Sequence, residues 1–393
     1  MKVVIALVSR SGQLSGVPRH AINLARCLLA RPEIAEVHLV AAPWQQSFVQ
    51  DAAPRGNVRL HLHTARVSNS ALSRNLWFYS HLPKLAADLD ATIVHLAYPV
   101  PVRPGAFQCP VVLTLHDLYP YDIPDNFGFP KVLFNRAVLR QCLKRVDAIA
   151  CVSQCTLSRL QSLLPQLARK ATVVYNSVAA HAYAEADAPL PELNAKPFLL
   201  CVAQHRRNKN MLLALRVFHR LIWTRCLPVG MQLIIVGIAG PETAAINHFI
   251  STSCLARNVV LLNGITDTQL QWCYRNCSLL LAPSLIEGFG LPVAEALLAG
   301  CRVVCSDIPA FRELGCDNCN FVALGQQQLE AFAEAVLATL LTHRPQPCSF
   351  PRHSPKVIAD EYMRIYSALL SSPRGGRLQS GFASSPEERQ HSA

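Results

Sequence analysis

The sequence has little charge and no long apolar run. Only 16% of its 393 residues are charged, whereas 51% are hydrophobic and 7% are aromatic. A chain this apolar is not expected to be disordered, and its length favours two domains over one. No uninterrupted apolar stretch approaches the roughly 18 residues of a transmembrane helix. We therefore expect a globular protein without a membrane span.

The features of a secreted protein are also missing. The apolar run Val3 to Val8 is too short for the core of a signal peptide, and no cleavage site follows it. The 15 cysteines lie mostly within apolar runs, where a reduced cysteine packs as a small hydrophobic residue. A chain of this length does not need a disulfide scaffold. We predict a cytoplasmic protein of a reducing compartment.

Acidic residues are scarce as well. The 25 Asp and Glu stand against 37 Lys and Arg, which gives a net charge of +12. This balance suits an anionic ligand, a nucleic acid or an acidic membrane surface, and does not choose among them. The arginines are scattered and not clustered with aromatics, so we expect no nucleic-acid partner. An anionic membrane surface remains, and would place the protein peripherally at the inner face of the plasma membrane.

Short β-branched runs alternate with helical stretches, a pattern typical of doubly wound α/β sheets. An acidic, proline-bearing stretch interrupts the pattern, which restarts at Phe198. The predicted segments are an N-terminal Rossmann-like domain (1–183), a linker (184–197), a C-terminal Rossmann-like domain (198–345), a crossover with a final helix (346–370) and a tail predicted to be disordered (371–393). Two such domains would share one cleft at the carboxyl ends of their strands.

The most informative stretch is a glycine-rich turn between a predicted strand and a predicted helix, Glu287-Gly-Phe-Gly-Leu-Pro-Val-Ala-Glu295. Pro292 suits the first turn of a helix. Gly288 and Gly290 allow a ligand to approach the backbone at the helix N-terminus, which favours phosphate. We expect Glu295, within the first helical turn, to bind the vicinal hydroxyls of a ribose, and Glu287 to reach another part of the ligand. Alternatively, Glu287 only caps the helix and Glu295 only complements its dipole.

This stretch resembles the E-x7-E region of the retaining GT-B glycosyltransferases of glycosyltransferase family four. The resemblance covers most of residues 1–370. The other matching motifs are Gly12 with Gly16-Val17, the T-x-H-D at Thr114–Asp117, Val152-Ser153 with Thr156, Val174-Tyr-Asn176, the basic loop Gln204–Asn210, and Gly264 with Tyr274. The resemblance implies an α/β GT-B fold, in which two doubly wound Rossmann-like domains face a cleft and the C-terminal helix returns to the N-terminal domain.

The family's activity is implied in the same way. It is retaining, metal-independent transfer of a hexose to a hydroxyl of a polysaccharide or lipid-linked glycan acceptor. The motifs look most like mannosyltransferases, so GDP-mannose is the first candidate donor; UDP-glucose, UDP-N-acetylglucosamine and dTDP-rhamnose stay open. No cofactor beyond this substrate and no metal are implied. The N-terminal domain would face the acceptor, and the C-terminal domain would bind the nucleotide sugar.

The resemblance also assigns roles to individual residues. The catalytic residues would be His116, Lys209 and Glu287. The donor-binding residues would be Gly16, Arg206, Lys209, Glu287, Gly288, Phe289, Gly290, Leu291 and Glu295. The chain departs from the family at Ala203-Gln204, where an arginine often follows the strand. This leaves Arg206 or Arg207 to supply the second cation, and Arg206 is favoured.

Each of these loops also has a plainer interpretation. The Gly12–Gly16 loop can present amides to a phosphate or be an ordinary connection. The basic loop can neutralise a diphosphate or be a solvated surface. His116 can donate to a sugar hydroxyl or support the anomeric centre through its backbone carbonyl, but a packed histidine is as frequent.

Other functions remain open on the sequence. The same fold could house a nucleotide-sugar epimerase or a phosphorylase, or a non-enzymatic nucleotide-sugar or nucleic-acid binding protein. Asp88-Leu-Asp90 spells the metal-binding D-x-D of a different glycosyltransferase fold, but it precedes a strand and indicates a turn. Cys316 and Cys319 form a lone C-x-x-C without a second pair, so zinc is not expected.

Overall fold

The computed structural model describes residues 1–13, 15–54, 56–178, 189–190, 196–314 and 318–371. The predicted linker (184–197) and tail (371–393) therefore fall largely outside the described residues, as does Cys316.

Among these residues, seven parallel strands form the first sheet, in the order β3-β2-β1-β4-β5-β6-β7. The strands are β1 (Lys2–Ala6), β2 (Glu36–Ala41), β3 (Leu60–Thr64), β4 (Ile93–Leu96), β5 (Val111–Leu115), β6 (Ala148–Cys151) and β7 (Ala171–Val173). The helices of this part are α1 (Gly16–Leu29), α2 (Gln46–Ala52), α3 (Ala71–Leu76), α4 (Leu82–Asp88), α5 (Tyr119–Asp122), α6 (Lys131–Arg145), α7 (Gln154–Leu163) and α8 (Pro165–Ala168). The central strands are mostly apolar because helices cover both faces of the sheet.

The second sheet has six parallel strands among the described residues, in the order β10-β9-β8-β11-β12-β13. They are β8 (Phe198–Val202), β9 (Gln232–Val236), β10 (Val259–Leu262), β11 (Leu279–Ala282), β12 (Val303–Ser306) and β13 (Cys319–Val322). The helices are α9 (Met211–Trp223), α10 (Thr243–Thr252), α11 (Asp267–Asn276), α12 (Leu291–Leu298), α13 (Pro309–Glu313), α14 (Gln328–Leu340) and α15 (Pro355–Ser371). The two predicted Rossmann-like domains are confirmed.

The strand order reverses at one point in each sheet. β1 lies between β2 and β4, and β8 lies between β9 and β11. Chain connections leave such a point in opposite directions, which opens a crevice at the carboxyl ends of the strands. The loops after β1, β8 and β11 start there, so the candidate motifs lie where this topology places ligands.

The last helix packs against the first domain, which confirms the predicted return. Ile358, Tyr362 and Tyr366 of α15 lie in one apolar cluster with Val3 and Ile5 of β1. Their polar atoms are satisfied inside the core. The Tyr366 hydroxyl lies 2.7 Å from Nδ1 of His95, and the Tyr362 hydroxyl lies 3.2 Å from Oγ1 of Thr114. Apolar packing and buried hydrogen bonds therefore both hold α15 in place.

The lengths of the helices and the state of the cysteines can be compared with the expectations from the sequence. None of the helices in the described ranges combines the length and apolar character needed to cross a lipid bilayer. The described cysteines carry free thiols except Cys348, which is disulfide-bonded. The expectation of fully reduced cysteines is therefore wrong at that position.

Candidate functional site

A cavity of about 760 Å³ lies between the two sheets and is lined by both domains. Loops after β1 and β5 form one wall, and loops after β8, β9, β10 and β11 form the other. The predicted site residues that line it are Gly16, His116, Arg206, Lys209, Glu287, Gly288, Phe289, Gly290, Leu291 and Glu295. Residues far apart in the sequence thus meet in one cleft because parallel strands end at the same edge of a sheet.

A largely buried ion pair lines this cavity. The Lys209 ammonium lies 2.6 Å and 2.7 Å from the two carboxylate oxygens of Glu287. Ser284 donates to Oε1 of Glu287 at 2.7 Å, and the Tyr119 hydroxyl donates to Oε2 at 3.3 Å. The side chains of Lys209 and Glu287 are only 19% and 8% exposed. Both charges are therefore held in place in a largely desolvated position, where a charged group acts strongly on a bound anion.

The surroundings of Glu287 exclude the helix-capping interpretation. Gly290, not Glu287, is the N-cap of α12. Burial, followed by the charge of Glu287, raises the pKa of Tyr119 well above its usual value, so Tyr119 stays protonated and can donate to that carboxylate. Glu287 is therefore held by three side chains inside the cleft.

Glu295 is buried in the same cleft, at 4% exposure. Its Oε2 accepts a hydrogen bond from the Tyr274 hydroxyl at 3.0 Å. The expectation that it lies within the first turn is wrong by one residue, because α12 begins at Leu291 and has no acid in its first turn. A role in complementing the helix dipole is thereby weakened, since that effect fades beyond the first turn.

Two glycines of this segment are required by the backbone itself. Gly290 has φ of +100°, and a Cβ there would lie 2.7 Å from the Phe311 ring. At Gly288 a Cβ would lie 1.8 Å from the carbonyl oxygen of His116, which belongs to the other domain. The turn between β11 and α12 thus presses directly against the loop after β5.

His116 is oriented by its neighbours in a way that limits its chemistry. Its Nε2 lies 2.9 Å from the carbonyl oxygen of Ala97, so this nitrogen carries the proton and donates it. Burial lowers the pKa of His116 to about 4, and the ring is neutral at pH 7. The remaining Nδ1 is then an acceptor, and donation from this ring to a sugar hydroxyl does not fit this geometry. The backbone carbonyl of His116 already accepts a hydrogen bond from Thr156 at 3.3 Å.

The structure distinguishes between the two candidate arginines. Arg206 lines the cavity beside Lys209, whereas Arg207 points to the surface and pairs with Asp125 at 2.6 Å. Asp117 lies in the same cavity, and burial raises its pKa to about 6, against the opposing pull of the Tyr119 amide, Arg206 and Lys209. Arg206 is thus the arginine placed to meet an anion there.

Several cavity residues escaped the sequence analysis. Tyr119 and Asn208 connect the domains, since the Asn208 amide donates to the Tyr119 hydroxyl at 3.2 Å. Arg19, on the first turn of α1, reaches across the cleft to Asp267 at 2.5 Å. Asn208 lies inside a loop already singled out for its charge, and Arg19 follows the glycine loop. Only the polar character of these positions could have marked them, because their partners come from the other domain.

The described residues hold no cluster of side chains of the kind that binds a metal ion. In the ranges that the structure describes, no set of three or more His, Cys, Asp or Glu is arranged to hold a metal ion.

Each half of the chain matches a known protein family. The family described as glycosyltransferase family 4 matches residues 14–181, and the family described as glycosyl transferases group 1 matches residues 184–347. Together these matches include Gly16 of the glycine loop, the T-x-H-D, the basic loop and the E-x7-E region.

Curated relatives and solved structures give a consistent result. The O-antigen chain mannosyltransferase RfbU of Salmonella typhimurium is 26% identical over 51% of this chain and 53% of that protein. The O-antigen chain mannosyltransferase B of Escherichia coli is 24% identical over 52% and 54%. The chain thus spans about half the length of these relatives. Anabaena HepE, solved with UDP and glucose, has a TM-score of 0.64 at 16% identity over 94% of this chain and 95% of that one. This likeness shows the fold, and the predicted GT-B architecture is confirmed.

Proposed function

Since this chain belongs to glycosyltransferase family 4, we propose that it transfers a hexose from a nucleoside diphosphate donor to a hydroxyl of a glycan acceptor. The observation that carries the proposal is the cavity between the sheets, in which Lys209, Glu287 and Glu295 face one space from fixed positions. A nucleoside diphosphate sugar offers a matching series of groups, namely a ribose diol, a diphosphate and sugar hydroxyls.

The donor would lie along the second domain. Glu295 would accept hydrogen bonds from the ribose hydroxyls, with its carboxylate oriented by Tyr274. Lys209, Arg206 and the amides near Gly16 and Leu291 would hold the diphosphate. Glu287 and the amides of Phe289 and Gly290 would hold the sugar hydroxyls.

Catalysis would then come from stabilising the departing phosphate. The bond between the anomeric carbon and the phosphate oxygen breaks, and negative charge develops on the diphosphate beside Lys209 and Arg206. Fixed cations in a desolvated cavity stabilise that charge without reorganising. The acceptor oxygen bonds to the anomeric carbon on the same face and gives its proton to the leaving phosphate, so the configuration would be retained. The carbonyl of His116 lies against Gly288, close to the sugar site in this arrangement.

The curated relatives support mannose as the transferred sugar, because both are named as mannosyltransferases. GDP-mannose is therefore the first donor to test, and an O-antigen-like or lipid-linked glycan is the first acceptor.

The experiment is a calorimetric titration with GDP, UDP and dTDP, followed by transfer from the matching radiolabelled nucleotide sugars. We expect one diphosphate to bind preferentially, and Glu295→Ala to weaken its binding about tenfold through loss of the charge-assisted hydrogen bonds. The control variant Glu334→Ala removes an acid from α14, outside the cavity. Conversion of the donor alone to a new sugar nucleotide would identify an epimerase instead. Equal binding and transfer by Glu295→Ala and the parent would contradict the proposal.

An anionic membrane is the proposed second partner, and α6 provides a surface for it. The helix carries five cations and no acid. Beside them, the exposed apolar side chains Phe129, Leu133 and Phe134 are 84%, 52% and 55% accessible. Arg136 of α6 donates to the carbonyl of Pro120 at 2.7 Å, which ties the helix to the loop behind His116 and Asp117. Docking α6 on anionic lipid would bring the cleft near a lipid-linked acceptor.

This surface predicts a specific binding defect. Lys131→Ser combined with Phe134→Ser should lower the partition onto vesicles of phosphatidylcholine and phosphatidylglycerol about tenfold or more, because a lipid-facing cation and an apolar side chain are both lost. Cosedimentation measures it. Trp223→Ser, which removes an exposed aromatic side chain from α9 of the other domain, should bind as the parent does. Equal partition onto vesicles of phosphatidylcholine alone would count against the membrane partner.

A further inference from the structure

Arg19 connects the two domains at the carboxylate assigned to the ribose. It lies on the first turn of α1 in the first domain, and its side chain is only 16% exposed. Its guanidinium contacts Oδ1 of Asp267 at 2.5 Å and lies 4.0 Å from Oε1 of Glu295. Asp267 begins α11 and Glu295 lies on α12, so one side chain of the first domain bridges two helices of the second.

The contacts on Glu295 come from opposite domains. Tyr274, from the second domain, donates to Oε2, while Arg19 faces Oε1. Each carboxylate oxygen has its own acceptor positions, so neighbours on both oxygens fix the orientation of the group. The Glu295 side chain is only 5% exposed, so its orientation is set by the polar groups packed around it.

We propose that Arg19 is a positioning residue that completes the ribose site of the second domain from the first. The inference rests on the proposed function, because it takes Glu295 as the group that binds the ribose. Arg19 fixes the orientation of the Glu295 carboxylate, and it can do so only while the cleft is closed. Tight nucleotide binding and domain closure are therefore linked.

The linkage works in both directions. A ligand that binds better to the closed arrangement must favour that arrangement by the same factor. Removal of the Arg19 side chain should therefore weaken nucleotide binding and also open the ligand-free protein. A residue that only gripped the diphosphate would show the first effect without the second.

The test is calorimetry with the preferred nucleoside diphosphate and with the corresponding nucleoside, which lacks phosphate. We expect Arg19→Ala to weaken both about tenfold, because the cation that faces Glu295 is lost from a low-dielectric site, and Arg19→Lys to restore part of the loss. In the Glu295→Gln background Arg19→Ala should have little further effect, since the two act as one unit. Small-angle scattering of ligand-free Arg19→Ala should give a larger radius of gyration than the parent. The control Arg26→Ala removes an exposed cation from the same helix and should change none of these.

Each other result overturns the inference. If Arg19→Ala weakened binding of the diphosphate but not of the nucleoside, Arg19 would be a phosphate ligand. If it weakened nucleotide binding as strongly in the Glu295→Gln background as in the parent, Arg19 would act independently of Glu295. Unchanged binding by Arg19→Ala, with the parent still binding and transferring, would remove this inference and leave the proposed function standing. A parent that binds no nucleotide would overturn both.

Discussion

Replacing Lys209 with methionine should lower kcat/KM for sugar transfer by about three orders of magnitude. Lys209 is the cation fixed at the centre of the cleft, and the charge that develops on the leaving diphosphate would lose its main stabilising partner. The loss should appear in kcat as well as in KM, because the interaction strengthens as the bond breaks. Transfer from the radiolabelled donor at several concentrations separates the two constants.

The folding contribution of Lys209 must be separated from its catalytic one. Glu287 would be left buried beside Ser284 and Tyr119 without its counter-ion, a situation that destabilises proteins strongly. The double variant Lys209→Met/Glu287→Gln removes both charges and should recover thermal stability while remaining inactive. Lys196→Met, at an exposed lysine just before β8, is the matched control. An active Lys209→Met enzyme would refute the assigned role.

Gly288→Ala is expected to reduce transfer by about two orders of magnitude, although it adds only one methyl group. That methyl would lie 1.8 Å from the His116 carbonyl oxygen, so the loop or the whole domain must move by more than 1 Å. A displacement of this size at a reacting centre costs about a hundredfold. The measurement is kcat/KM together with the nucleoside diphosphate Kd, which should change less because Glu295 lies further along α12.

Gly325→Ala serves as the comparison for this variant. Gly325 is exposed in the second domain, and a Cβ there meets nothing within 4 Å. It should transfer sugar at the parental rate. If Gly288→Ala also transferred sugar at the parental rate, transfer would not depend on the close contact between Gly288 and the His116 carbonyl oxygen.

The sequence could predict where the buried strands lie and which loops follow them. The restart of the α/β pattern was predicted at Phe198, and β8 begins at that residue, because a buried parallel strand is an apolar run bounded by polar residues. The loops that follow such strands must meet at one edge, and so the loop after β8 and the Glu287–Glu295 segment were placed together correctly. The domain that contributes each loop to the cleft followed from the position of the loop in the sequence.

Elements without an apolar run were missed. β13 is an edge strand of mixed exposure with the sequence CNFV, and nothing in its residues distinguishes it from a loop. The contacts of Arg19, Tyr119 and Asn208 were missed for a different reason. Their partners lie in the other domain, and one sequence without its packing carries no signal of which polar side chains meet across the cleft.

The return of α15 fixes an order of events during synthesis. The first domain leaves the ribosome first, but part of its core is supplied by Tyr362 and Tyr366, which are translated after the second domain. Until then Nδ1 of His95 lacks the Tyr366 hydroxyl that satisfies it, whereas Thr114 already contacts His20 and His95. The described strands of the second domain come from residues 198–322, so this domain can form while the first is still incomplete. The domain that is synthesised first is therefore the domain whose folding is completed last.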